Sequence, residues 1–209
     1  MVQLLMSLLG LAEPMDPRGD ADAVFQKARH VKYWLRCLKT LLPTAYTPND
    51  SQRMTFAFFT LSALDLLSAL DNHTTTEERE GYVDWIYRCQ HTNGGFKGFT
   101  GADAGGESCW DPANLAATFF ALASLMVLGD DMDRVKKSAC VEWVRRLQRH
   151  DGSFGEALGK NGNIEGEGDI RHCYLAAAVR WILRRGATVE DTGDIDREGL
   201  ARYVLRSVV

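Results

Sequence analysis

One stretch of this 209-residue chain is written twice. Tyr82-Val-Asp-Trp-Ile-Tyr-Arg-Cys-Gln-His-Thr-Asn-Gly-Gly-Phe96 aligns without gaps on Cys140-Val-Glu-Trp-Val-Arg-Arg-Leu-Gln-Arg-His-Asp-Gly-Ser-Phe154, at a constant offset of 58 residues. Internal self-similarity at a fixed period is the mark of a chain built from stacked supersecondary units, none of which buries its apolar face alone.

In each copy the apolar positions follow i, i+3, i+4, i+7: Tyr82, Trp85, Ile86, Cys89, then Cys140, Trp143, Val144, Leu147. That pattern predicts an amphipathic helix with one buried stripe. A third, weaker copy fits at an offset of 60, with Leu200, Tyr203, Val204 and Ser207. Each such helix follows a more uniformly apolar segment: Met54–Leu70, Leu115–Leu128 and Arg171–Leu183. A helix apolar on nearly every side must be covered on nearly every side, so the pattern predicts apolar inner helices backed by amphipathic outer ones. Thr75-Thr-Glu-Glu78 reads as a capping box opening the first outer helix, and the glycines of the loops are expected to end the outer helices. Strand signals are absent from the sequence, and the class is all-α. The unit is a helical hairpin near 60 residues long, and the hairpins fall near 54–99, 115–155 and 171–209. The third copy stops at Val209, before the Gly-Phe loop that follows the other two, so the sequence reads as an array interrupted in its third unit.

Composition narrows the function classes. Net charge is −4, and Lys and Arg do not form a run, which argues against nucleic acid as a partner. Five widely spaced cysteines (Cys37, Cys89, Cys109, Cys140, Cys173) never form a C-x-x-C pair, the pattern of reduced thiols in a cytoplasmic protein. Residues 1–26 form a separate segment whose apolar start, Met1 to Leu11, lacks a basic flank and a cleavage site and is too short to span a bilayer. No stable membrane insertion is expected.

The loops Gln90-x-x-x-Gly-Gly-Phe96 and Gln148-x-x-x-Gly-Ser-Phe154 resemble those shared by protein prenyltransferase β subunits and terpene cyclases. Arg29-His-Val-Lys-Tyr-Trp-Leu-Arg-Cys-Leu-Lys-Thr-Leu-Leu-Pro43, Arg53 to Leu67 and Leu128-Gly-Asp-Asp131 are similar to the opening of the geranylgeranyltransferase type I β subunits. Gly168-Asp-Ile-Arg-His-Cys-Tyr-Leu-Ala176 resembles the acidic-x-Arg-x-x-Tyr-x-Ala signature of these subunits. The likeness covers residues 27–209 and implies an α/α toroid of helical hairpins around a central cavity, here an incomplete toroid. It also implies transfer of geranylgeranyl from geranylgeranyl diphosphate to the Cys thiolate of a C-terminal CaaX motif, as on small GTPases. Zinc would be the cofactor and a prenyltransferase α subunit the heterodimer partner.

Carried onto this sequence, the resemblance implies isoprenoid-binding roles for Thr55 and Tyr174 and peptide-binding roles for Arg171, Asn114, Ala116, Ala117 and His172. Thr55 is small where farnesyl-specific relatives carry a bulky aromatic, leaving room for a fourth isoprene unit. Read without the family, Thr55 is a helix-interior Thr bonded to its preceding turn, Arg171 an ion-pair partner of Asp169 or Glu167, and Tyr174 a core residue. Asn114 stands where animal relatives carry His, and an Ala of the 116–117 pair stands where they carry Met. His172 occupies a place often taken by an aromatic. Neither His172-Cys173 nor Glu107-x-Cys109 reaches three ligands at a metal spacing. The expected Asp-x-Cys and His zinc ligands are not in the chain, so catalytic and metal residues are expected to be absent and the chain alone inactive. Two other functions fit the same pattern: a non-catalytic helical module binding isoprenoid or a partner, and a terpene cyclase-like enzyme. The second lacks its Asp-x-Asp-Asp acid motif, which Asp130-Asp-Met-Asp133 does not reproduce.

Overall fold

The computed structural model describes residues 25–40, 44–101, 112–185 and 193–207. The Met1–Leu11 segment and Glu107-x-Cys109 therefore lie outside the described residues. Among these residues the chain forms eight α-helices: α1 Lys27–Lys39, α2 Arg53–Leu66, α3 Leu70–His73, α4 Thr76–Arg88, α5 Leu115–Val127, α6 Lys137–Arg146, α7 Ile170–Arg184 and α8 Arg197–Ser207.

The two-layer expectation is met. The apolar helices α2, α5 and α7 pack side by side, and α4, α6 and α8 lie against them from one side. Trp143, Phe96, Phe154, Leu115, Leu122 and Leu125 fill the space between the layers and are under 2% exposed. The capping box forms as read: the Thr75 hydroxyl accepts from the Glu78 amide at 3.1 Å and the Glu78 carboxylate accepts from the Thr75 amide at 2.9 Å.

The repeated loops explain why the sequence repeats. In each, the backbone folds back by matched hydrogen bonds: His91 N–H to the Gly95 carbonyl at 2.7 Å, and Arg149 N–H to that of Ser153 at 2.8 Å. Asn93 and Asp151 accept from the amide two residues on, at 3.0 and 2.9 Å. Gly94 and Gly152 take φ of +95° and +93°. They do not end the outer helices as the sequence suggests, since α4 already ends at Arg88 with Cys89 as its cap in right-handed helical conformation. Their place is set by the next outer helix. A Cβ on Gly94 would lie 2.3 Å from the Cys140 nitrogen, and one on Gly152 would lie 2.0 Å from the Gly199 carbonyl oxygen. Only a residue without a side chain lets one hairpin stack this closely on the next.

Three further features depart from the sequence reading. The first inner helix stops at Leu66 and not at Leu70. Ser68 N–H bonds the Asp65 carbonyl and Ala69 N–H that of Leu64, both at 2.8 Å, with Ser68 at φ +50°. This is a Schellman stop, and Gly129 makes the same one after α5. Ser68 sits where a glycine would have announced it. A short antiparallel ladder, β1 Ala157–Leu158 with β2 Ile164–Glu165, also follows the second loop. Two residues a side are too few to show an alternating pattern. Finally, α1 is another outer-type helix. Val31, Trp34, Leu35 and Leu38 pack with Leu61, Leu64 and Leu70 in a second apolar cluster. They repeat the spacing of Tyr82, Trp85, Ile86 and Cys89 at an offset of 51 residues, outside the period of 58 to 60.

Candidate functional site: the open wall of the inner helices

The outer helices leave one side of the inner layer uncovered. Along α2 that side carries Thr55, Phe59 and Leu66, along α5 Ala116 and Phe120, and along α7 Tyr174 and Trp181, each set at helical spacing. Its large apolar side chains remain accessible: Phe59 is 52% exposed, Leu66 56% and Trp181 49%. Aromatic rings join the three helices. Phe59 lies 5.6 Å from Phe120, Phe58 6.0 Å from Phe119, and Phe119 5.8 Å from Tyr174 edge-on. These separations are those of favourable aromatic pairs, which fix the wall's shape while leaving apolar area open. Burial raises the Tyr174 phenol above its ordinary pKa, so the ring serves the wall as a neutral apolar body.

Thr55 is half-buried one turn before Phe59. Among the described residues its hydroxyl makes no hydrogen bond to the preceding turn. Its small side chain sits on the same helix face as Phe59.

The N-terminal ends of α5 and α7 gather the remaining residues singled out in the sequence. Asn114 caps α5, its carboxamide oxygen accepting from Ala117 N–H at 2.8 Å, while Leu115 N–H reaches the Glu156 carbonyl at 2.8 Å. Ala117 is buried and Ala116 half-buried. Asp169 caps α7, accepting from Arg171 N–H at 2.7 Å, and its carboxylate takes the Arg171 guanidinium at 2.6 Å. That hydrogen-bonded ion pair holds the Asp169 carboxyl down at about 2. Arg171 itself is 84% exposed on its side chain, so its remaining donors face solvent. His172 is half-buried, and its Nδ1 is buried with no hydrogen-bond partner.

Cys173 does not offer a metal ligand. It is 2% exposed, and burial pushes its thiol up despite the Phe154 amide that points toward it. Among the described residues no three His, Cys, Asp or Glu side chains gather as a metal cage, and these residues do not fit a zinc site.

An apolar wall of inner helices, backed by outer helices and Gly-pinned loops, is the build of an α/α toroid segment. The chain belongs to the prenyltransferase family of such toroids: the model of the prenyltransferase alpha-alpha toroid domain matches residues 25–209. Within the family it is similar to the geranylgeranyl transferase type-1 β subunits of Arabidopsis thaliana and Dictyostelium discoideum. The first is 30% identical over 90% of this chain and 50% of the relative, the second 28% over 83% and 52%. The solved Candida albicans protein geranylgeranyltransferase-I complexed with GGPP superposes with a TM-score of 0.74. It is 25% identical, over 87% of this chain and 51% of that one. The chain thus spans about half the length of the relatives it matches.

Proposed function

We propose that this chain supplies the isoprenoid-binding wall of a protein geranylgeranyltransferase type I β subunit. That enzyme transfers geranylgeranyl from geranylgeranyl diphosphate to the Cys thiolate of a C-terminal CaaX motif. The observation that carries the reading is the open aromatic wall of Phe59, Phe120, Tyr174 and Trp181 with the small Thr55 set into it. An isoprenoid chain is long, apolar and slender enough to lie along such a wall, its methyl branches included, and burying it there removes apolar area from water. The similarity to type-1 β subunits and to a GGPP-bound relative supports the same ligand.

On this reading Arg171 receives the peptide's terminal carboxylate, exchanging or sharing its pairing with Asp169. A guanidinium suits that task because it meets a carboxylate through two parallel hydrogen bonds. Asn114, Ala116 and His172 line the peptide path at the same ends of α5 and α7, whereas Ala117 is buried in the core and does not reach it. Zinc, the cofactor of the family reaction, would keep the peptide thiol as thiolate, and an α subunit would complete the heterodimer in the cytoplasm. Lipid binding is the property assigned to the described residues.

Equilibrium titration tests this. The tryptophan fluorescence of the full chain should respond saturably to geranylgeranyl diphosphate, Trp181→Phe should remove most of that response, and Phe120→Ala should weaken binding. No turnover of a peptide ending in Leu is expected of the chain by itself. A chain that binds neither geranylgeranyl nor farnesyl diphosphate would overturn the reading.

A further inference from the structure

The helix α1 has two faces, each spaced i, i+3, i+4, i+7. Val31, Trp34, Leu35 and Leu38 face the domain, and Arg29, Lys32, Tyr33 and Arg36 face away from it. The outward residues are all exposed, and Phe25, one turn earlier, extends the stripe at 64% exposure with Tyr33 at 51%. The helix holds five Lys and Arg and no acidic residue, although the chain as a whole is net negative. Lys39 is paired with Glu78 at 2.8 Å. Arg29 reaches only the neutral Gln26, and Arg36 lies over the Tyr33 ring at 5.8 Å. Among the described residues no carboxylate neutralises Arg29, Lys32 or Arg36.

The geometry points to this stripe as a docking surface for the face of an anionic lipid bilayer. Three cations that no carboxylate among the described residues neutralises, set in line on one helix, complement a surface of negative headgroups. The two exposed aromatic rings in the same line suit the water–lipid boundary, where an apolar ring with a polar edge is favoured. An acidic protein would explain the cations but leaves the paired exposed rings without a partner. The α1 core face stays on α2, so the contact is peripheral and no helix leaves the domain; no described helix is long and apolar enough to cross a membrane.

Each Lys or Arg held at an anionic surface strengthens binding about fivefold, so three contribute roughly a hundredfold. The test is co-sedimentation of the full chain with phosphatidylcholine vesicles, with and without roughly one-third phosphatidylserine. The chain should bind the phosphatidylserine vesicles and release them when salt is raised to about 0.5 M. The variant Arg29→Gln/Lys32→Gln/Arg36→Gln should bind about a hundredfold more weakly. Its melting curve should be unchanged, since all three residues are exposed and none makes an ion pair among the described residues, and Tyr33→Ala should weaken binding at all salt concentrations. Equal binding to both vesicle types, or equal binding by the triple variant, would overturn the inference. So would a chain that ignores both vesicles yet is retained by a poly-glutamate peptide through the same three residues, which would give the stripe to an acidic protein.

Discussion

Replacing Gly94 by Ala should damage this fold more than any ordinary glycine substitution, and two other glycines show how much more. At Gly94 the new Cβ would lie 2.3 Å from the Cys140 nitrogen and 2.6 Å from the Ala139 carbonyl carbon. Both obstacles are backbone at the start of α6 and cannot swing aside. The left-handed φ of +95° adds its own penalty, about 1–2 kcal/mol for a residue with a side chain. Forcing the two hairpins apart adds about 1–3 kcal/mol. The total, roughly 2–5 kcal/mol, is a large share of a domain's stability. Gly129 has φ +75° but nothing within 4 Å, so Gly129→Ala carries the conformational penalty alone, about 1 kcal/mol. Gly81 lies inside α4, exposed and with nothing within 4 Å, so Gly81→Ala should stabilise by about 0.5–1 kcal/mol. Urea unfolding followed by circular dichroism reads all three. Gly94→Ala should lower the midpoint by on the order of 1 M at unchanged slope, with Gly129→Ala between it and wild type and Gly81→Ala above. If Gly94→Ala proved no worse than Gly129→Ala, Gly94 would not be the contact that sets hairpin stacking.

Three further outcomes follow from particular side chains. Ser68→Gly should raise stability by about 0.5–1 kcal/mol, seen as a higher Tm, because glycine relieves the left-handed φ of +50° at the α2 stop. Alkylation near neutral pH with peptide mapping should label exposed Cys37 first among the described cysteines. Cys140 is fully buried, its thiol pushed up to about 12 by that burial, and it should resist labelling until the chain unfolds. Thr55→Trp should weaken geranylgeranyl diphosphate binding by about tenfold while farnesyl diphosphate loses less; equal losses would separate Thr55 from chain-length choice.

The layered fold was legible because its cause is periodic. Trp85 and Trp143 occupy equivalent places, and so do Phe96 and Phe154, since each hairpin buries the same stripe against the same kind of neighbour. The repeat does not explain its own glycines: Gly94 looks like a helix stop until the next helix is seen pressing on it. α1 escaped notice because its offset from α4 is 51 residues and no Gly-Phe loop follows it. The α2 stop was hidden because Ser68 does a glycine's task.

The site was legible only in part, and for a different reason. Phe59, Phe120 and Trp181 share a face with Thr55 and Tyr174, but on helices apolar all round no sequence period distinguishes the open side from the packed one. Uniform hydrophobicity conceals direction. Arg171 also shows a role the spacing left open, its pairing with Asp169, and Asn114 proves to be the cap of α5. Both contacts depend on backbone conformation at a helix start and not on residue identity alone.

The central claim is that the uncovered wall of the inner helices holds an isoprenoid chain. The most direct measurement is photo-crosslinking with a geranylgeranyl diphosphate analogue bearing a diazirine along its tail, followed by mass mapping of the labelled peptides. The account predicts labels within Arg53–Leu66, Leu115–Val127 and Ile170–Arg184, suppressed by unlabelled geranylgeranyl diphosphate. Labels confined to the outer helices Thr76–Arg88 and Lys137–Arg146, or labelling that competition leaves unchanged, would contradict it.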